Sequence, residues 1–316
     1  AGACDPSAPS VARGGGHNEP QPVSHIAMHP AAPSHNPVPA PRLRLPQVTL
    51  CAVDARSPGL ALQSLQRSMA QVEFGRAVLF THAWQPPQPV PGVEIVDIGP
   101  IRSGAEYSHF VLRALPQHVA TSHVLVTQWD GFVVDARAWR DEFLACDYIG
   151  APWPDQPAAC AVGNGGFSLR SRKLLQAGLD AHITQEHPED LMLCREYRAW
   201  LEQHQGVRFA SLELARAFAF ENAAAPGPVF GFHGPYNLPQ VLDAATLSSW
   251  LHDLPDDFFR SRDARRLARA LLARGMPRVA AQLLARRRQA GRHDVQTRLL
   301  AAAAAVAGCL PRAGGN

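Results

Sequence analysis

The sequence lacks an apolar run near the ~20 residues that a helix needs to cross a bilayer. Its beginning also lacks a charged segment followed by an apolar one, the pattern typical of a secretory signal. The six cysteines have no C-x-x-C spacing, which argues against a zinc ribbon or a redox pair. We therefore predict a cytoplasmic protein without a transmembrane segment, whose cysteines are small apolar residues; contact with a membrane surface is left open.

A marked excess of one charge is also missing. The formal net charge is +3, and no stretch of Lys and Arg interleaved with aromatic residues is present. Because nucleic-acid-binding surfaces are strongly basic, we expect no nucleic-acid partner. The small basic excess comes mostly from arginines after residue 259, whose helix faces we interpret as solvated surface.

Three common catalytic or phosphate-binding motifs are absent as well. The turn after the first predicted strand reads VDARSPG, without the G-x-G-x-x-G of dinucleotide-binding proteins. Neither the G-x-x-x-x-G-K-[ST] of P-loop proteins nor the G-x-S-x-G of serine hydrolases occurs. A nucleotide-binding fold without these motifs commonly handles phosphate through a divalent cation held by a carboxylate at a strand end.

Composition divides the chain into three parts. Residues 1–46 are rich in Pro, Gly, Ser and His without a periodic apolar pattern, so we predict a disordered tail. Its irregularly spaced histidines reflect composition and not a metal site: His17, His25, His29 and His35. Residues 47–250 form a globular body. Residues 256–310 show the helical apolar spacing of two or three short helices packed as an appendage.

Strand and helix patterns alternate in the body. β-Rich runs occupy residues 48–55, 76–81 and 93–98, and a fourth strand begins at residue 123. Ser57 followed by Pro58 predicts a helix start, and Ser103 with Glu106 forms the capping box of a second helix. This order predicts an α/β fold with a mixed, mostly parallel Rossmann-type sheet flanked by helices.

Two of the predicted strands end in an acidic residue. Asp54 ends the first strand, and Asp130, in the segment QWDG, ends the fourth. Because the carboxyl ends of parallel strands lie at one edge of the sheet, we expect both acids to point into the same cleft.

Three later segments add polar groups. GNGGFSLRS (163–171) permits close backbone approach to a ligand, or simply a tight turn. HPED (187–190) opens a helix, whose positive N-terminus by itself would explain the two acids. FGFHG (230–234) ends an apolar strand at His233, and a lone histidine is more often structural. Each segment alone is weak evidence for a functional site, and the order of the segments along the chain is more informative.

In that order the segments QWDGFVVD, DYIGAPWP, VGNGGFSLRS, HPED and FGFHG resemble nucleotide-sugar glycosyltransferases with the GT-A fold. They resemble more closely the bacterial family catalogued as domain of unknown function 5672, whose members are regarded as glycosyltransferase-like. The resemblance covers about residues 47–245. It implies a GT-A-like domain at residues 47–250, with a nucleotide-sugar donor across the strand ends and a saccharide or glycoconjugate acceptor facing the sugar.

The resemblance also implies a donor site. Its residues would be Val53, Asp54, Arg56, Arg102, Tyr107, Trp129, Asp130 and Gly131. Asp54 would accept from a ring N–H or a hydroxyl of the donor, and Arg102 or Tyr107 would reach the diphosphate or the base. Asp130 and His233 would bind Mg²⁺ or Mn²⁺. This chain has Trp-Asp-Gly where GT-A enzymes keep an Asp-x-Asp motif, so the protein would supply few ligands to the metal.

On the acceptor side, the resemblance implies that Asp190 is the general base that takes the proton from the acceptor hydroxyl. The sugar and acceptor pocket would contain Trp153, Asn164, Gly165, Gly166 and Glu189. Trp129 and Trp153 would stack on a sugar face or belong to the core.

The sequence thus predicts a metal-assisted glycosyltransferase of surface-polysaccharide or glycoconjugate assembly. A non-catalytic nucleotide-sugar-binding or protein-interaction module is one alternative, favoured by the missing second Asp of the metal motif. The other is a metal-dependent phosphoesterase built on Asp130, Asp190 and His233, which is disfavoured because two-metal hydrolysis generally needs a denser ligand cluster.

Overall fold

The structure is a computed structural model that describes residues 42–222 and 227–309. The disordered tail predicted at residues 1–46 lies outside the described residues as far as residue 41, together with its histidines. The first strand begins at Leu43, four residues before the predicted start of the body. From residue 42 onward the described chain forms one compact unit.

The strands form two sheets. In chain order they are β1 (Leu43–Val53), β2 (Val72–Thr81), β3 (Glu94–Asp97), β4 (His123–Thr127), β5 (Phe132–Val133), β6 (Tyr148–Gly150), β7 (Phe167–Ser171), β8 (Ala219–Phe220) and β9 (Gly231–Phe232). The central sheet has the order β3-β2-β1-β4-β7-β6, in which β1 to β4 run parallel and β7 runs antiparallel to both of its neighbours. A smaller sheet has the order β5-β9-β8. The predicted mixed, mostly parallel sheet is confirmed; the second sheet was not predicted.

Helices cover both faces of the central sheet and continue beyond it. They are α1 (Pro58–Gln71), α2 (Gly104–His109), α3 (Leu115–His118), α4 (Arg172–Ala177), α5 (Glu189–Leu191), α6 (Arg198–His204), α7 (Leu212–Phe218), α8 (Ala244–Asp253), α9 (Asp256–Arg260), α10 (Arg262–Ala273), α11 (Pro277–Gln289) and α12 (Val295–Cys309). Phe110–Ala114 is a π-helical turn between α2 and α3, and Met192–Glu196 is another after α5. The single helix predicted from Pro188 therefore starts at Glu189 and is interrupted.

The continuous apolar run of β1 is explained by burial on both faces. Leu50 packs in the cluster that contains Leu65 of α1, and the next residue, Cys51, packs on the opposite face with Phe110. Successive side chains of a strand point to opposite faces, so a central parallel strand needs apolar residues at consecutive positions. The polar residues that follow Val53 and Thr127 therefore mark the edge at which these two strands end.

Local capping explains how the helices at this edge begin. The Ser103 hydroxyl accepts from the Glu106 backbone N–H, and the Glu106 carboxylate accepts from the Arg102 N–H, so the predicted capping box is confirmed. Ser57 occupies the N-cap position of α1, but its side chain makes no capping hydrogen bond. Asp54 accepts instead from the backbone N–H of Ser57, so this strand-end acid also stabilises the start of α1.

The C-terminal region is helical, as predicted, and its described residues 256–309 form four helices in place of two or three. The additional helix, α9, is separated from α10 by Ser261, whose hydroxyl accepts from the Ala264 N–H. Helices α8 to α12 share an apolar cluster with Phe132 and Phe232 of the small sheet, so they pack directly on the α/β part. No helix among the described residues is long and apolar enough to span a membrane.

Candidate functional site

Two adjoining clefts open where β1 and β4 end. The first cleft is lined by Val53, Asp54, Ala55, Arg56, Ser57, Ile101, Ser103, Gly104, Tyr107, Gln128, Trp129, Leu254, Pro255, Asp257, Phe258 and Ser261. The second cleft is lined by Gly104, Tyr107, Ser108, Gln128, Trp153, Asn164, Gly165, Gly166, His187, Glu189, Asp190, Glu221, Asn222 and His233. Gly104, Tyr107 and Gln128 belong to both, so these residues mark the junction of the two clefts.

Asp54 lines the first cleft, where the described residues donate hydrogen bonds to only one of its two carboxylate oxygens. Its Oδ1 accepts from the backbone N–H groups of Arg56 and Ser57, both at 2.7 Å. Burial raises the pKa of Asp54, while these hydrogen bonds oppose the rise and the nearby Asp130 charge adds to it. Since Oδ1 is engaged by the backbone, Oδ2 is the oxygen available to a ligand.

Three other predicted donor residues take different positions. Arg56 lines the first cleft and pairs with Asp257 of α9. Tyr107 lies at the junction, and its buried hydroxyl has no hydrogen-bond partner among the described residues; burial raises its pKa. Arg102 is exposed and lines neither cleft. The structure thus brings Arg56 and Tyr107 to the strand ends but leaves Arg102 outside.

Asp130 differs from the expectation of a shared cleft with Asp54. It is 6% exposed and does not line either cleft, because the chain turns inward after β4. Gly131 permits this turn: a Cβ there would stand 2.7 Å from the Phe232 carbonyl oxygen. Asp130 Oδ1 instead faces His233 Nε2 at 3.4 Å, and His233 lines the second cleft.

His233 lies between acidic groups on both sides of its ring. Nδ1 is 3.3 Å from Glu221 Oε1, and Nε2 is 3.1 Å from Gln128 Oε1 in addition to its contact with Asp130. Burial alone would lower the pKa of His233, but the Asp130 and Glu221 carboxylates raise it well above its ordinary value of 6.5. The two carboxylates therefore favour the protonated form of the imidazole.

The Asp130 and His233 pair fits a divalent cation in one respect. Two adjacent ligands of an octahedral Mg²⁺ stand about 3 Å apart, close to the 3.4 Å between Asp130 Oδ1 and His233 Nε2. Asp130 Oδ1 is buried and receives no hydrogen bond from the described residues. In the described ranges, no three His, Cys, Asp or Glu side chains are grouped as a metal site. A cation here would need phosphate and water oxygens, and its binding would displace the His233 proton.

The glycines of GNGG make room for protein side chains. A Cβ at Gly166 would stand 2.1 Å from His233 Nε2, and one at Gly165 would stand 2.4 Å from Glu189 Oε1. Asn164 adopts a left-handed backbone, with φ of 63°, and its buried Oδ1 has no partner within the described chain. The loop thus packs closely against His233 and Glu189, and its Asn164 lines the second cleft.

Asp190 and Glu189 are neighbours with different environments. Asp190 is partly exposed, and its Oδ2 accepts from the Gly165 backbone N–H at 2.9 Å, which holds the carboxylate against the cleft. Glu189 is 5% exposed and pairs with the fully buried Arg170 at 2.9 Å. Burial raises the pKa of Glu189, and the Arg170 charge opposes this rise. Asp190 is thus the more accessible of the two carboxylates.

The two predicted stacking tryptophans occupy separate clefts. Trp129 lines the first cleft, and its ring makes an edge-to-face contact with that of Phe258 at a centroid distance of 5.5 Å. Trp153 lines the second, and Gly163 leaves space for its ring, since a Cβ there would stand 2.2 Å from it. Both rings also pack against apolar clusters, so each combines a core contact with a cleft position.

Several lining residues were not predicted. Gln128 could have been found, because it directly precedes the Trp-Asp-Gly segment at a strand end. Glu221 and Asn222 follow β8, a strand of two residues without a recognisable pattern. Leu254 to Ser261 were placed outside the α/β body. These last residues reach the cleft only through the packing of the C-terminal helices.

Comparison with solved structures finds distant similarities. The chain is similar to mannosyltransferase PcManGT from Pyrobaculum calidifontis, in complex with GDP-Man and Mn²⁺, at 15% identity and a TM-score of 0.36, covering 84% of this chain and 83% of that one. It is also similar to HddC from Yersinia pseudotuberculosis, at 14% identity and a TM-score of 0.29, covering 41% of this chain and 78% of that one. These similarities are too distant to assign an activity.

Among curated proteins, no match was found. A family model does match a segment of the chain that extends from just before β3 to His233 and contains every lining residue of the second cleft. It excludes Asp54 and Arg56 of the first cleft, as well as the helices from α8 onward. The predicted family resemblance therefore holds over a shorter range than residues 47–245: residues 92–233 match the family described as Protein of unknown function (DUF5672).

Proposed function

We propose that the protein transfers a sugar from a nucleoside-diphosphate sugar to a hydroxyl of a saccharide or glycoconjugate. The main support is the arrangement of the two clefts, which meet at Tyr107 and Gln128 and contain Asp190 in only one of them. Such a pair of sites suits a donor with a nucleoside at one end and a reacting sugar at the other. The family match over residues 92–233 includes every lining residue of the second cleft but does not specify an activity.

In this proposal the nucleoside lies in the first cleft and the diphosphate lies at the junction. Asp54 Oδ2 accepts from a ring N–H or a ribose hydroxyl, and the Tyr107 hydroxyl donates to a phosphate oxygen. Asp130 and His233 would hold Mg²⁺ or Mn²⁺, which when bound neutralises charge on the leaving diphosphate. Asp130 Oδ1 and the Tyr107 hydroxyl, which are buried and have no hydrogen-bond partner among the described residues, are the groups that such a ligand would satisfy.

Asp190 is proposed as the general base in the second cleft. Its carboxylate takes the proton of the acceptor hydroxyl while that oxygen forms a bond to the anomeric carbon. The bond between the anomeric carbon and the diphosphate oxygen breaks, and the nucleoside diphosphate leaves with the bonding electrons. The Gly165 N–H holds Oδ2 of Asp190, and the Asn164 amide oxygen accepts from a sugar hydroxyl.

The test begins with donor binding by the intact chain. UDP-, GDP-, CDP- and dTDP-sugars are screened by thermal shift with Mn²⁺ and with EDTA, and nucleotide release is then measured with and without saccharide acceptors. Transfer predicts release that depends on the acceptor. Release without acceptor would indicate hydrolysis, and binding without release would indicate the non-catalytic module.

Asp190→Asn is the decisive variant. It should retain donor binding and lose at least about 100-fold in the rate of transfer, because general-base catalysis typically contributes 10²–10⁴-fold. Asp155→Asn is the control, since Asp155 is exposed and lines neither cleft. Transfer by Asp190→Asn at the wild-type rate would overturn the assignment of the base.

A further inference from the structure

One wall of the first cleft comes from outside the α/β body. Its residues in the segment 254–261, named here the helical wall, are Leu254, Pro255, Asp257, Phe258 and Ser261. The segment includes α9 and its two flanking turns. It lies beyond the predicted body at 47–250 and beyond the residues that match the family model. The cleft is therefore incomplete without the C-terminal helices.

The helical wall contacts the loops at both strand ends. The Asp257 carboxylate pairs with the Arg56 guanidinium, which follows β1. Phe258 meets the ring of Trp129, which follows β4, edge to face at 88°. The wall is thus attached to both loops that would contact a donor.

The backbone of the wall is held from behind by a buried arginine. Arg287 of α11 is 2% exposed and donates to the carbonyl oxygens of Phe259 at 2.6 Å and Ser261 at 2.8 Å. It also donates to the Thr297 hydroxyl at 2.9 Å. A buried guanidinium that donates to several carbonyl oxygens fixes the position of the backbone that carries them. Phe258 therefore stands on a backbone positioned by three helices, α9, α11 and α12.

The same helices reach the second cleft. Arg266 of α10 donates to the Asn222 side-chain oxygen at 2.8 Å and lies over the Tyr236 ring at 3.4 Å. Tyr236 donates to the same Asn222 oxygen at 3.0 Å. Asn222 lines the second cleft, so a contact from the helical region also positions a group there.

We propose that the helical wall forms the nucleobase side of the donor site, with Phe258 as a base-stacking contact and Asp257 as the residue that positions Arg56. This inference rests on the proposed function. Asp190 and Asn164 lie in the second cleft, so the opposite end of a nucleotide-sugar donor must occupy the first. An aromatic face with charged groups at the rim suits a flat heteroaromatic ring. The helical region is accordingly part of the donor site rather than a separate module.

The experiment compares variants of the intact chain by calorimetry in the presence of Mn²⁺. The probes are UDP, GDP, CDP and dTDP, with inorganic pyrophosphate as the probe that has no base. Phe258→Ala should weaken the binding of the preferred nucleotide about tenfold, as expected for one lost base-stacking contact, and leave pyrophosphate binding unchanged. Phe258→Tyr, which retains a ring, should bind like the wild type.

The adjacent acids provide a matched pair. Asp257→Asn removes the ion pair to Arg56 and should weaken nucleotide binding about two- to fivefold. Asp256→Asn makes the same change in charge one residue away, but Asp256 faces Arg286 and does not line the cleft, so it should have no effect. Equal nucleotide affinities of the Asp257→Asn and Asp256→Asn variants would overturn the positioning role of Asp257.

Hydrogen exchange gives a result that does not depend on the folding of a variant. Addition of the preferred nucleotide to the wild type should slow amide exchange in residues 254–261. Unchanged exchange there, or unchanged affinity of a folded Phe258→Ala, would overturn the inference even when the wild type binds nucleotide. If the wild type binds none of the nucleotides, the proposed function fails and this inference with it. Binding without sugar transfer would refute only the catalytic part of the proposed function.

Discussion

The buried ion pair beneath the second cleft leads to a prediction about stability. Arg170 is fully buried and Glu189 is 5% exposed, and the two side chains are 2.9 Å apart. Glu189→Gln would leave the Arg170 charge without its counter-charge in the protein interior. Breaking a buried pair on one side costs about 3–5 kcal/mol. For a chain of this size the melting temperature should fall by on the order of 10 °C.

The measurement is urea unfolding at pH 7, followed by tryptophan fluorescence and circular dichroism. Glu73→Gln is the matched control, because it breaks an exposed Glu–Arg pair in which the side chains of Arg44 and Glu73 are 74% and 50% exposed. That control should lose less than about 1 kcal/mol. A similarly small loss for Glu189→Gln would refute the ion pair, and it would mean that burial already keeps the Glu189 carboxyl protonated in the folded protein.

Two further predictions concern an exposed acid and a cleft glycine. Hydrogen bonds from the Gly99 and Ala83 N–H groups and from His82 lower the pKa of Asp97 from 3.8 to about 2. Because this pKa is depressed on folding, the stability that Asp97 contributes is present above pH 3.8 and is lost as the pH falls to about 2. The urea midpoints of wild type and Asp97→Ala should therefore differ at pH 5 and converge near pH 2; a constant difference would contradict this. Gly166→Ala should cost about 1–3 kcal/mol and impair nucleotide binding with Mn²⁺, since its Cβ would stand 2.1 Å from His233 Nε2. At Gly227 the described residues place no atom within 4 Å of an added Cβ, so Gly227→Ala should match the wild type in both assays. Equal stability of the two variants would be evidence against the crowding argument.

The sequence predicted well those elements whose cause is local. The runs at residues 76–81 and 93–98 lie in β2 and around β3, because the apolar pattern of a buried strand is visible in consecutive residues. The capping box of Ser103 and Glu106 was found for the same reason, since all of its contacts lie within four residues. The helix predicted from Pro188 was less accurate, because its π-helical interruption at Met192–Glu196 has no distinct sequence pattern.

The candidate site likewise has some features with a local cause in the sequence and others that depend on distant residues. The sequence by itself determined that polar residues follow the buried strands β1 and β4, and this was enough to nominate Asp54 and Asp130. Only the tertiary structure decided that Asp130 turns inward to His233 Nε2 and that the Glu221 carboxylate faces Nδ1 on the other side of the imidazole. It also decided that Phe258, about 130 residues after Trp129, closes the first cleft. Periodicity and capping depend on neighbours in the chain, whereas a cleft is formed by side chains that meet only after distant elements have packed.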